Sequence, residues 1–245
     1  MLPTIIRHHF ETIDSTNSWA KQNASTFSRD GFTIVTAKEQ TAGRGRNSNT
    51  WISLPDQNIH LTFAFFASPQ ATYIANIPQV LAISATKCLE QLEFTPKIKW
   101  PNDLLLSGKK IAGILTETIQ IDSLVCIVVG IGININTTQT QLQQINRPTT
   151  SLYVESNKLF DIDSIIEKLI GTFIPDCLSL IQKDTGFKAF LPNFEQRLCY
   201  QKGDLVQFKT PSGPIEGKFD SIRENGSLDL LMNSGEVRNF ISITS

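Results

Sequence analysis

A chain of 245 residues, 40% hydrophobic and 18% charged, can bury a substantial core in one large domain or in a large and a small one. Its 22 basic and 23 acidic side chains leave a formal net charge of -1, which argues against a dedicated nucleic-acid binder but permits a local basic patch. The cysteines (Cys88, Cys126, Cys177, Cys199) and histidines (His8, His9, His60) show no metal-ligand spacing, no signal peptide opens the chain, and no apolar run approaches the ~20 residues of a membrane span, so the cytoplasm is the default location.

Asp14 and Ser15 are N-cap types ahead of a helix predicted over about 16–26. "FTIVTAKEQ" reads as a strand with Phe32 and Ile34 on one face, and a glycine–arginine loop then runs to Trp51. In "NIHLTFAFFA", Ile59, Leu61, Phe63 and Phe65 share one strand face. Ile77, Leu81, Cys88 and Leu92 recur at helical spacing over about 76–92. "KIKW" is a short strand and "PND" a turn. "KKIAGILTETIQ" and "LVCIVVGIGINI" read as paired strands, the second apolar on both faces and therefore central. "DIDSIIEKLIGTFIPDCLSLIQ" is helical, with Pro175 either kinking it or ending its first half, and helix continues to about 196. Short strand-like runs between Pro, Gly and Asn turns then predict a small all-β domain, giving an α+β chain divided as 1–197 and 198–245.

Four polar, glycine-containing segments fall where strands end or helices begin: "DSTN" (14–17), "EQTAGRGRNSNTW" (39–51), "KWPNDLLLSGKKIAGIL" (99–115) and "VVGIGININ" (128–136). Gly43 and Gly45 let backbone approach a ligand, and Arg44 and Arg46 can grip phosphate or carboxylate oxygens. Taken alone, that loop fits a solvated turn, an anion cradle or a nucleic-acid tether. "DSTN" fits both a helix cap and an anion site. Lys110 must send its charge to an anion or to solvent from within a strand, and Gly113, Gly130 and Gly132 weaken their strands unless something packs closely against them.

In this order and at these distances, "DSTN", "QTAGRGR" with Trp51, "KWPND", "KKIAG" and "GIGIN" together resemble the class I biotin–protein ligases, over essentially the whole chain from about 10 to 245. The resemblance implies a mixed sheet with helices, akin to class II aminoacyl-tRNA synthetases, followed by a small SH3-like β-barrel. It implies ATP-dependent conversion of biotin to biotinyl-5′-AMP with release of pyrophosphate. Biotin then passes to one lysine of the biotin carboxyl carrier domain of a carboxylase. With no room before residue 10 for the winged-helix domain of some members, the resemblance is to the monofunctional type, a monomer or homodimer acting without nucleic acid or membrane.

Carried onto this chain, the resemblance places Ser15 and Thr16 on the ureido ring of biotin, Asn17 behind them and Gln40 closing the pocket. Backbone at Arg44, Gly113 and Gly130 lines the biotin, and Gly43, Arg44, Gly45 and Arg46 fold over carboxylate and phosphates. Trp51 lies against adenine, Lys110 reaches the biotin carboxylate and the α-phosphate, and Asn134 helps place ATP and its Mg2+. No side chain is expected to ligate metal directly. Arg46 and Lys110 carry the catalytic charge, and Asp103 either handles the acceptor lysine's proton or is structural. The chain departs from the pattern at Asn47, Ser48 and Asn49, where many members have a glycine and a further basic residue; Arg147, Lys109 and Arg29 are candidates to replace that charge. The rival readings are a lipoate or octanoate ligase or transferase of the same fold group, and a non-enzymatic anion- or nucleic-acid-binding module. No cysteine adjoins the motifs as an octanoyltransferase nucleophile would.

Overall fold

The computed structural model of the chain describes residues 3–46, 49–182, 186–210 and 213–241. One mixed sheet contains β1 (Thr4–Ile13), β2 (Gly31–Gln40), β3 (Asn58–Ala67), β4 (Lys97–Lys99), β5 (Asp103–Leu106), β6 (Lys109–Ile121) and β7 (Leu124–Asn134). The strand order is β1-β2-β3-β7-β6-β5-β4. The parallel pair β1 and β2 is joined through α1 (Thr16–Asn23), and the other neighbours are antiparallel. β7 lies in the middle, as its two apolar faces require.

Helices α2 (Ile77–Glu90) and α5 (Ile162–Gln182) cover one face of this sheet. Ile59, Leu61, Phe63 and Phe65 of β3 point into the core there, together with Leu81, Leu89 and Phe173. α2 is buried nearly all round, because the sheet lies on one side of it and α5 on the other. The alternation in β3 separates two buried faces, not a buried and a wet one: His60, Thr62 and Ala64 are covered from the other side. Between β7 and α5 run the short helices α3 (Gln139–Leu142) and α4 (Leu152–Ser156).

Pro175 does not end α5. The proline and Gly171, whose carbonyl loses its partner, both face solvent, while Phe173, Ile174 and Cys177 are buried. Burial of that stripe offsets a helix-interior proline that costs about 3 kcal/mol.

After α6 (Leu191–Arg197), strands β8 (Leu205–Thr210), β9 (Gly213–Ile222), β10 (Leu228–Leu231) and β11 (Val237–Phe240) form an antiparallel sheet in the order β11-β10-β9-β8. The turn between β9 and β10 docks it. The Gly226 carbonyl accepts from Gln79 Nε2 at 2.7 Å and from Trp100 Nε1 at 3.2 Å, and Asn76 Nδ2 donates to the Asn225 carbonyl at 2.8 Å. Gly226 has φ +78, and a Cβ there would sit 2.3 Å from Gln79 Oε1, so the contact needs glycine on both counts. Trp100 also meets Phe208 of β8, with ring centroids 5.6 Å apart. Among the described residues, no helix is long and apolar enough to cross a membrane.

Candidate active site

On the sheet face opposite α2 and α5, cross-strand partners form a row from β3 to β5: His60, Gly132, Gly113 and Asp103. A second row holds Thr62, Gly130 and Leu115. Residues opposite one another on paired strands share a face, so three glycines open a trough across the middle of the sheet. The start of α1, the loop after β2 and the edge of the small sheet enclose it. The resulting cavity has a volume of about 1020 Å³. It gathers every site residue anticipated above except Gly43 and Asn134, and also takes in Gln207, Phe208, Asn239 and Phe240 from the small sheet.

One end is neutral and hydrogen-bonded. Ser15 caps α1 with its hydroxyl accepting from the Ser18 N–H at 3.4 Å, as the cap reading of "DSTN" expected, and it also lines the cavity. The Thr16 N–H donates to Gln40 Oε1 at 2.8 Å. Asn17 Nδ2 donates to the Leu115 carbonyl and to Glu117 Oε2, each at 3.2 Å, and Asn17 Oδ1 accepts from the Thr62 hydroxyl at 2.7 Å. Gly130 lies beneath that amide, where a Cβ would fall 2.1 Å from Asn17 Oδ1.

His60 is buried here, and desolvation pushes its imidazole down to about 4 from an ordinary 6.5. The folded ring is therefore neutral where an unfolded one binds a proton. Its contribution is fully present above about pH 6.5 and is lost as pH falls through about 4. The expected loss is on the order of 3 kcal/mol. Urea denaturation between pH 7 and 4 checks this, with a shallower slope expected for His60→Phe.

The other end is cationic. Arg44, Arg46, Lys99, Lys110 and Arg147 line the cavity, against Asp103 as its one carboxylate among the described residues. Lys110 Nζ pairs with Asp103 Oδ1. Burial pulls the Lys110 ammonium below the usual lysine range, Asp103 opposes that pull, and Arg147 and Lys99 add to it. Burial likewise lowers Arg46, which donates to Asn102 Oδ1 at 3.2 Å. An anion entering here would relieve this crowding of positive charge. Arg44 is turned aside to Glu117, with Nη2 3.1 Å from Oε1, and the same buried carboxylate holds Lys21 Nζ at 2.8 Å.

The glycine–arginine loop folds as a hairpin. Arg44 bridges Thr50, the Gly45 N–H donates to the Asn49 carbonyl at 2.7 Å, and the Trp51 N–H donates to the Gly43 carbonyl at 2.9 Å. Gly43 serves this closure: a Cβ there would meet the Trp51 carbonyl oxygen at 2.5 Å. The Trp51 ring lies on Gly132, where a Cβ would be 2.4 Å from Cε2. Asn47 and Ser48 lie outside the described residues.

Asn134, expected to help place ATP, makes two amide hydrogen bonds within the protein. Its Oδ1 accepts from Asn58 Nδ2 at 3.0 Å and its Nδ2 donates to the Thr150 carbonyl at 3.0 Å. It borders a small recess behind Trp51 rather than the main cavity, so its amide knits β7 to β3 and to the 147–151 segment. Of the three candidates for a replacement charge, Arg147 lines the cavity. Arg29 pairs with Asp122 and stacks on Phe66, and Lys109 is absent from the cavity wall.

Glu117, His60, Thr62 and Lys99 were not anticipated. Glu117 carried a usable signal, since it shares strand parity with Gly113 and Leu115 and thus faces the glycine trough. His60 and Thr62 had one too, as the polar alternate positions of a strand whose other face is apolar.

A glycine-floored trough in a mixed sheet, with a capped helix start at one end and clustered cations at the other, defines the class. The chain belongs to the biotin/lipoate A/B protein ligase family, whose model matches residues 9–134. Within it, the resemblance is to biotin protein ligases. The bifunctional ligase/repressor BirA of Bacillus spizizenii is 33% identical over 238 residues, 92% of this chain and 69% of that protein. The biotin–[acetyl-CoA-carboxylase] ligase of Paracoccus denitrificans is 30% identical over 89% of this chain and 90% of its own length. The biotin protein ligase from Aquifex aeolicus in complex with biotin and ATP superposes with a TM-score of 0.81 at 27% identity, covering 98% of this chain and 97% of that one.

Proposed function

We propose that the chain is an ATP-dependent biotin–protein ligase that makes biotinyl-5′-AMP and transfers biotin to a lysine of a carboxylase's carrier domain. The observation that carries this reading is one cavity joining a neutral, hydrogen-bonding end at Ser15, Thr16 and Gln40 to a cationic end at Arg46 and Lys110. That polarity suits a ligand with an uncharged polar head and a carboxylate tail, met by a polyphosphate.

In the first step a biotin carboxylate oxygen attacks the α-phosphorus of ATP. The bond to the bridging oxygen breaks, and pyrophosphate leaves with that electron pair. Two anions must meet, so Lys110 and Arg46 cancel their repulsion and then hold the charge that builds on the leaving oxygen. Magnesium would enter with the ATP phosphates as their counter-ion and screen their charge. Trp51 and the small sheet's Phe208 and Phe240 supply ring surface for adenine. In the second step the acceptor amine attacks the acyl carbon, the carbon–oxygen bond to AMP breaks with the electron pair leaving on AMP, and the amine's proton passes to the Asp103 carboxylate. Asp103 orients Lys110 first, and as the cavity's carboxylate it then steers the amine.

Arg147 takes the place of the basic residue missing after "GRGR". Arg147→Gln is expected to raise the KM for ATP about tenfold and leave biotin affinity unchanged, as steady-state kinetics with calorimetry would read. An unchanged KM would remove it from the phosphate site. The reading as a whole is tested by incubating the protein with biotin, labelled ATP and Mg2+ and following biotinyl-AMP. Acceptance of lipoate or octanoate in place of biotin would overturn it.

A further inference from the structure

His60 stands in the cavity wall on the β3 row beside Gly132, buried and outside every step above. Its two ring nitrogens reach two different groups. Nδ1 is 3.2 Å from Gln40 Nε2, and Nε2 is 2.8 Å from Ser53 Oγ. Ser53 Oγ in turn accepts the backbone N–H of Gln40 at 2.9 Å. His60 and Ser53 thus close a ring that holds one residue, Gln40, by both main chain and side chain.

The polarity of this ring follows from its fixed member. The Thr16 backbone N–H can only donate, and it is 2.8 Å from the Gln40 oxygen. That contact sets which end of the amide is oxygen, so Gln40 Nε2 faces His60 and donates to it. His60 Nδ1 must then carry no proton, and Nε2–H donates to Ser53. A flipped amide would set its NH2 against the Thr16 N–H, two donors face to face, and its oxygen against the bare Nδ1, two acceptors face to face.

We infer that His60 is a positioning residue: as its Nε2–H tautomer it locks the Gln40 amide in one orientation and so fixes the donor–acceptor pattern offered to the ligand's uncharged head. The ligand, biotin, rests on the function proposed above; the ring itself does not. A second consequence is selectivity. Gln40 is tied back at its backbone, its oxygen and one amide hydrogen, so it cannot re-pair to suit a head with a different hydrogen-bond pattern.

Two measurements test this. Nitrogen-15 NMR of the histidine rings in the full chain at pH 7, without ligand, should show His60 with a bare Nδ1 and a protonated Nε2. A protonated Nδ1 or an imidazolium would overturn the proposal. For binding, His60→Phe keeps a ring but removes the acceptor, whereas His60→Asn can return an acceptor near the Nδ1 position. The first should weaken biotin binding about 10- to 100-fold while kcat at saturating biotin and the KM for ATP stay within about twofold, and the second should recover most of that loss. Wild-type biotin affinity in a folded His60→Phe, or an equal fall in kcat, would overturn it. If His60→Phe does not fold, the NMR result and Ser53→Ala, expected to weaken biotin about threefold to tenfold, decide. Unsubstituted protein that binds no biotin would overturn the ligase reading, and the tautomer would still decide the ring.

Discussion

Lys110→Ala is expected to slow biotinyl-AMP formation by about 10³-fold while the protein still melts as a folded domain. The rate loss follows from position. The ammonium is mostly buried, at 14% side-chain exposure, so water cannot substitute for it when two anions approach. Removing one preorganised charge from such a site costs about 4 kcal/mol in the transition state, which is the expected factor. The fold should tolerate the change because Asp103, the partner left behind, keeps 27% of its side chain in contact with solvent and retains Arg46 nearby. Single-turnover adenylation alongside a thermal melt separates the two effects. A full adenylation rate in a folded variant would remove Lys110 from the chemistry, and Arg46→Ala offers a parallel check on the second cation.

The second large effect is expected from the smallest substitution. Gly130→Ala should destabilise the protein by about 2–3 kcal/mol and weaken biotin binding about 100-fold. The added methyl group would lie 2.1 Å from Asn17 Oδ1 and 3.1 Å from Thr62 Oγ1. Asn17 has nowhere to go, since its amide is bound to the Leu115 carbonyl, Glu117 and Thr62. Relief must come by lifting the start of α1, which carries Ser15 and Thr16 out of the cavity wall. Gly171→Ala is the control: exposed, helical and with nothing within 4 Å of its Cβ position, it should be neutral or slightly stabilising. Urea denaturation and biotin calorimetry read both. If the two alanines behaved alike, the close approach at Gly130 would not be what requires glycine.

Much of the site was legible because its motifs are local. A cap serine, a glycine–arginine turn and a lysine beside a Gly-containing strand each carry their chemistry within a few residues. Their joint order marked them as one constellation before any contact was known. What stayed hidden depends on partners far along the chain. Glu117 looked like one polar residue in a strand, yet it binds Lys21, Arg44 and Asn17, which lie 73 to 100 positions away. The amide of Asn134 likewise meets partners far from it in the chain, Asn58 and the Thr150 carbonyl.

The sequence by itself determined the main helices and the central place of β7, since hydrophobic period acts at short range, but it did not mark the edge strand β1, which is largely exposed and carries little apolar alternation. Pairing across the sheet decided the rest: that His60, Gly132, Gly113 and Asp103 share one row, and that Arg147 rather than Arg29 stands beside Lys110. Such neighbours are set by strand register, which depends on contacts between segments far apart in the chain and leaves no mark in the local run of residues.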